Sequence, residues 1–344
     1  MTRSVVALML VALLLSACSS GAPSSASSTA PTAKSPTAAP VPRSAAPVAR
    51  GYHALIGLGD RGVLLVGGST TIPRLGGKAL SDPWIYRRGK WVAADRGKVP
   101  VLADAYGYDA RSGRAIVLAF PFSAFDQVSV SATWIYDPAA DRWEQRLERG
   151  RPSGIHGARG AYDRKADRLV VLDEAGNTWS YDVDGDQWTN RLPKTSPPGR
   201  RYYALAYDDA SDRTILFGGE GYGSQTWAYD YGANTWTEMH PAKSPAGRLY
   251  HAMAYDPKSD RMILFGGAGL DEKPLADTWT YDYDMNTWAE LTPQPAPSER
   301  GWHAMAYDSD SGTIVIFGGG VDREHFMGDT WVFDPTRRVW SSVP

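Results

Sequence analysis

Cysteine is almost absent from this chain, the 344 residues containing one, Cys18. A lone cysteine excludes an internal disulfide framework. An excess of one charge is missing too: 36 Lys and Arg face 38 Asp and Glu, the formal net charge is −2, and neither sign forms runs. That distribution offers no basic surface for a nucleic acid, so none is expected as a partner. Long apolar runs are also lacking. Val5 to Leu15 is uncharged and apolar, but shorter than the roughly 20 residues that cross a bilayer as a helix. The six histidines are scattered without ligand spacing, and neither Gly-x-Ser-x-Gly nor His-Glu-x-x-His occurs. No metal, cofactor or motif-borne catalytic centre is expected.

What the N-terminus does contain is an address. Arg3 followed by the apolar run has the form of a secretory signal. It leads into Leu15-Ser16-Ala17-Cys18, which resembles the lipobox of bacterial lipoproteins. The resemblance implies that residues 1–18 are a signal peptide, that Cys18 carries a lipid (palmitate) anchor, and that the protein sits outside the cytoplasmic membrane, attached to it. Residues 19–49 are dominated by Ser, Ala, Pro and Thr, with no aromatic residue. They cannot bury enough surface to fold and read as a disordered tether. A flexible chain of that length spans roughly 30 Å. Residues 50–344 form the folded domain.

Twelve of the thirteen tryptophans fall into six pairs: Trp84/Trp91, Trp134/Trp143, Trp179/Trp188, Trp227/Trp236, Trp279/Trp288 and Trp331/Trp340. The first members are 50, 45, 48, 52 and 52 residues apart, and a period near 50 signals a repeat architecture. The fifth repeat shows the unit best. His251-Ala-Met-Ala-Tyr-Asp256, Arg261-Met-Ile-Leu-Phe-Gly-Gly267, Asp277-Thr-Trp-Thr-Tyr-Asp282 and Asn286-Thr-Trp-Ala-Glu-Leu291 are four short β-rich segments separated by turn residues. Such a unit reads as a four-stranded antiparallel meander. It resembles the Kelch repeat, with a double glycine closing the second strand and spaced aromatics in the third and fourth. The resemblance implies an all-β fold, a six-bladed β-propeller of four-stranded antiparallel blades. Repeats two and three depart from it, placing Ala119-Phe120 and Leu172-Asp173 where the glycine pair belongs. The tryptophans are expected in the core. Each blade comes from contiguous sequence, so ring closure is expected to rest on side-chain packing between blades one and six, the weakest seam.

In an antiparallel meander, the turn into the first strand and the loop between strands two and three open on one face, here face X. The remaining links open on face Y. The strand two to three loops vary most in length, and they carry Arg74, Phe122, Phe125, Arg323 and Phe326 among others. Variable loops on a fixed scaffold are where binding usually lives. Face X also holds a recurrent Arg-x-x-His or Tyr: Arg50/His53, Arg200/Tyr203, Arg248/His251 and Arg300/His303, with Trp302 before the last histidine and Asp104 replacing it in blade two. If the first strand is innermost, as the resemblance implies, these residues line the channel mouth, where guanidiniums suit a carboxylate or acidic sugar. A scaffold role, with Arg on loop carbonyls and His against the next blade, is the competing reading.

The family's copper oxidase, galactose oxidase, needs a Tyr cross-linked to Cys, which this chain cannot form. Kelch propellers of the sialic-acid mutarotase kind need neither metal nor cysteine, and Arg248, Arg300, His251, His303 and Asp104 could fill acid, base and anchoring roles there. The reading preferred over that cofactor-independent mutarotase or epimerase is a binding or scaffold module for a protein or glycan ligand on face X.

Overall fold

The computed structural model describes residues 46–71, 77–94, 97, 99–119, 131–146, 150–152 and 157–344. Residues 1–45, with Cys18 and most of the tether, lie outside them, as do Arg74, Phe122 and Phe125. Six antiparallel sheets follow in chain order, each built from one repeat. Blade one pairs Gly51–Gly57, Val63–Ser69, Trp84–Arg87 and Lys90–Ala93 in sequence order, and blade six does the same with Ala304–Asp308, Thr313–Phe317, Thr330–Asp334 and Val339–Val343. The first strand of each blade touches the first strands of both neighbours, so these six strands ring the axis. This is a six-bladed β-propeller.

Why the sequence folds this way is visible in the register. A third-strand aromatic stands opposite the fourth-strand tryptophan in every blade, as in Tyr229↔Trp236, Tyr281↔Trp288 and Phe333↔Trp340. The rings of those three pairs sit 4.9 Å apart, a cross-strand contact that fixes register. The two tryptophans of a pair differ in burial. The second member is buried in blades two to six, whereas Trp134, Trp179, Trp227 and Trp331 are half-buried first members.

Those second tryptophans also join the blades. Trp188, Trp236, Trp288 and Trp340 donate their indole N–H to Thr133, Thr178, Thr226 and Thr278 of the preceding blade, at 2.8 to 3.1 Å. Trp91 does the same to Thr330 across the closing seam, at 2.9 Å. The glycine pair supplies a second tie. Gly219, Gly267 and Gly319 donate to the carbonyls of Arg248, Arg300 and Arg50 in the next blade. Only glycine suits the place: Gly267 has φ +99°, and a Cβ there would lie 2.6 Å from the Leu249 carbonyl.

Closure between blades six and one therefore does not rest on side-chain packing alone, as expected from the sequence. It carries the same indole and glycine bonds as the seams between blades four and five and between five and six, plus a mixed apolar cluster that includes Leu55, Trp84, Val315 and Phe317. The seam lacking its indole bond is between blades one and two. There Pro83 stands where other blades have threonine, and the buried Trp143 indole N–H has no partner among the described residues. Pro83→Thr is expected to raise stability by about 1 kcal/mol, the net worth of one buried hydrogen bond. Urea unfolding checks this; an unchanged midpoint would remove Trp143 from the account of the seam.

Candidate binding face and central channel

The four recurrent arginines are not exposed at the channel mouth; their placement follows the scaffold reading rather than the reading of an arc of guanidiniums open to a ligand. Arg50, Arg200, Arg248 and Arg300 are 0–2% exposed. Each donates through Nε to a carbonyl two residues upstream and through Nη1 to the first glycine of its own blade's pair: Gly67, Gly218, Gly266 or Gly318. The remaining donors go to the residue before the third-strand Thr/Pro-Trp. Arg248 forks onto Asp277 at 2.6 and 2.7 Å, Arg300 onto Asp329 at 2.7 and 2.9 Å, Arg50 meets Asp82 at 2.9 Å, and Arg200 meets the neutral Gln225 at 2.8 Å. The same aspartates accept the indole N–H of Trp84, Trp279 and Trp331. Burial would raise the carboxyls of Asp277 and Asp329, but the paired guanidiniums outweigh it and hold both below the usual range. Burial pushes Arg200 down to about 10.

The residues three positions on also tie neighbouring blades together. His53 and His251 set Nε2 3.1 and 3.2 Å from the carbonyls of Phe317 and Phe217 in the preceding blade. Tyr203 serves blade four the same way, its hydroxyl donating to Leu172 O. His303 packs edge-on against Phe265, in the equivalent place. Burial, then the adjacent Arg50 or Arg300, pushes His53 and His303 down to about 3 and carries His251 well below its ordinary value. All three imidazoles are neutral at physiological pH.

Between these two scaffold positions lies an aromatic residue in a conformation side chains rarely adopt. Tyr52, Tyr202, Tyr250 and Trp302 all have φ of 57–59°, an outlier for bulky residues. In blade five this residue splits the first strand into Arg248–Leu249 and Ala252–Asp256. The bend permits a chain of main-chain bonds around the mouth: Tyr52 N to Trp302 O, Trp302 N to Tyr250 O, Tyr250 N to Tyr202 O, and Tyr202 N to Gly157 O. Gly157 N then donates to the Asp104 carboxylate at 3.2 Å, which takes over in blade two. The bend also stacks the rings. Tyr202 to Tyr250 and Tyr250 to Trp302 are each 4.5 Å between centroids, and Trp302 to Tyr52 is 6.4 Å. Strain held in place by such surroundings clusters at functional sites.

Two spaces open beside this arc. Inside it is a chamber of about 70 Å³ lined by His53, His251, His303, Trp302 and Asp104, together with Arg159. Sequence reasoning thus identifies five of its residues and passes over Arg159. That residue occupies the position held by Ala204, Ala252 and Ala304 in the later blades, so an off-motif charge in an alanine column was its signal. Its Nη1 donates to Ala158 O at 2.8 Å, and among the described residues it meets no carboxylate. The chamber's floor is a waist of Tyr106, Gly160, Leu205, Met253 and Met305, shared with a funnel of about 420 Å³ on face Y. Outside the arc, over blades four to six, is a groove of about 650 Å³. Its wall is Tyr202, Tyr250 and Trp302, and its rim carries Glu220, Glu272, Asp322 and Glu324 against one cation, Arg323. One side of that rim is a long hairpin, Arg261–Gly269 and Pro274–Asp282. Among the described residues, no group of His, Cys, Asp and Glu is placed to hold a metal ion.

A family model described as the KLHDC2/KLHL20/DRC7 Kelch-repeats domain matches residues 172–344. The chain belongs to the Kelch-repeat family. Among solved structures it is similar to the one described as "Structure of YjhT", with 14% identity and a TM-score of 0.61 over 88% of this chain and 99% of that one. That likeness extends to the fold. No curated protein matches the chain. The Kelch double glycine is thus the donor between blades, and the Kelch arginine is the clamp that holds it.

Proposed function

We propose that this Kelch propeller is an extracytoplasmic binding module, anchored to the cell membrane through a lipid on Cys18, that receives a protein or glycan ligand on face X. The observation that carries the reading is the aromatic arc of Tyr52, Tyr202, Tyr250 and Trp302, held at φ 57–59°, the last three walling a groove of about 650 Å³. Aromatic rings fixed at a concave rim provide contact area at little entropic cost. Arg50, at the entry to the first strand, bonds through its N–H to Met327 O of the blade-six loop on this same face.

A second reading, a cofactor-independent mutarotase or epimerase for an acidic sugar, draws on Arg159 and Asp104 lining one chamber. The neutral imidazoles beside them weaken it, because a group titrating near 3 holds no proton to give at neutral pH.

Thermal melting of the full-length protein against acidic sugars, neutral glycans, and acidic and basic peptides tests the binding reading. A ligand at a hundred times its Kd stabilises by about 2.7 kcal/mol. Tyr250→Ala is expected to lower the unliganded stability by about 1–3 kcal/mol, through its two lost ring contacts, and to abolish the further ligand-induced shift. A shift of full size in that variant would place the ligand elsewhere. Palmitate labelling of wild type, lost in Cys18→Ala, tests the anchor in the same preparation.

A further inference from the structure

We propose that the axial chamber binds a short-chain monocarboxylate, its carboxyl group seated on Arg159 and Tyr106 and its aliphatic tail against Leu205, Met253 and Met305. The site lies inside the aromatic arc, apart from the groove outside it, and does not rest on the reading of that groove.

Arg159 breaks an alanine column of the innermost strands, so the fold of the other blades does not call for a charge there. Its Nη1 donates to Ala158 O at 2.8 Å, with Asp104 O 3.5 Å away, and these contacts fix the plane of the group. Nε and Nη2 form the parallel edge that matches a carboxylate, and they carry no hydrogen bond among the described residues. Tyr106, from blade two, is a second donor independent of the first. It stands in the column of Met253 and Met305, lines the chamber, and its hydroxyl has no partner among the described residues. Burial raises this phenol above its usual range, and Arg159 is near enough to oppose part of the rise, so the hydroxyl stays protonated beside the guanidinium. A guanidinium accepts nothing, so neither group can satisfy the other. An anion with two acceptor oxygens satisfies both.

Size and charge narrow the class. The chamber measures about 70 Å³, and at about 10–15 Å³ for each water-sized group it holds on the order of five non-hydrogen atoms. A carboxylate of two or three carbons fits that space, whereas a six-carbon sugar acid exceeds it. The Asp104 carboxylate stands on the same wall, accepting from Gly157 N–H at 3.2 Å, and opposes a second negative charge on the ligand. The imidazoles of His53, His251 and His303 offer neither charge nor an open lone pair, because the ring nitrogens not bonded to carbonyls are sealed from solvent. Across the axis from blades two and three, Leu205, Met253 and Met305 give the tail an apolar wall.

The test is equilibrium dialysis of the full-length protein against radiolabelled propionate, with acetate, lactate, succinate, phosphate, glucuronate and a glutamate-containing peptide as competitors. Saturable binding of one propionate per chain is expected, displaced by acetate and lactate and not by the other four. Arg159→Ala restores the residue that blades four to six carry at this place, so it is expected to melt like wild type and to weaken propionate binding at least tenfold. Tyr106→Phe keeps the ring, removes only the hydroxyl, and is expected to weaken binding by a smaller factor. Arg201→Ala, which removes an arginine paired with Glu174 outside the chamber, is expected to leave it unchanged. Absence of saturable propionate binding, full binding in Arg159→Ala, or equal weakening in Arg201→Ala would each overturn the proposal. Displacement by succinate or phosphate as effective as that by acetate would overturn it as well. Tighter binding of glucuronate or of the peptide than of propionate would also overturn it, in favour of a ligand seated at the mouth. None of these results bears on the groove, whose reading stands or falls on Tyr250→Ala.

Discussion

Arg248→Ala is expected to destabilise the propeller by about 3–5 kcal/mol, the range for removing one partner of a buried ion pair. The guanidinium is 1% exposed and satisfies four acceptors at once: Ala246 O, Gly266 O and both oxygens of Asp277. Removing it leaves a three-quarters buried carboxylate without its cation. It also leaves the Gly266 carbonyl, at the head of the glycine pair that ties blade five to blade six, without its donor. The four clamps should not respond equally. Asp329 is 40% exposed and water can solvate it, so Arg300→Ala belongs at or below the lower end of that range. Arg200 faces neutral Gln225, so Arg200→Ala strands no charge and should cost about 1–3 kcal/mol, from unsatisfied carbonyls alone. Lysine at position 248 should recover only part of the loss, since a point ammonium cannot fork across two oxygens. Urea unfolding of the four proteins gives the ranking; equal losses for Arg200→Ala and Arg248→Ala would remove the ion pair from the explanation.

The same clamps show where reading the sequence succeeds. Blade number, strand count and innermost strand follow from the tryptophan period and its Kelch resemblance, because every blade repeats one set of local contacts. The burial of the arginines was less legible, since their partners lie 25 to 32 residues downstream. A signal did exist. An aspartate precedes Thr-Trp or Pro-Trp in blades one, five and six, which all have the arginine. Arg159 was invisible to a motif search and plain in a column comparison. The acidity of the groove could not be read at all. It arises because loops of three blades bring Glu220, Glu272 and Glu324 over one aromatic wall, and no single repeat contains that arrangement.

The neutral histidines make stability strongly dependent on acid. An unfolded histidine titrates near 6.5, whereas burial beside Arg50 and Arg300 holds His53 and His303 near 3 in the folded protein, and His251 is shifted the same way. Between those values the unfolded chain takes up protons that the folded chain refuses, so stability is full above about pH 6.5 and falls as pH drops toward 3. At pH 4 the loss is on the order of 3 kcal/mol for His53 and for His303, enough together to consume much of a domain's stability. Asp163 and Asp208 act in the opposite sense, their carboxyls raised by burial, so the wild-type curve alone does not isolate the histidines. Blade four supplies the variant that does. Tyr203 occupies the histidine position there and satisfies the preceding blade's carbonyl with a hydroxyl that does not titrate in acid. His53→Tyr/His303→Tyr is therefore expected to keep the bond that His53 makes to Phe317 O, and to flatten the decline in thermal midpoint between pH 6.5 and 4. If the two curves fall in parallel, the buried imidazoles are not what acid attacks, and the carboxylate clamps at Asp277 and Asp329 become the groups to vary.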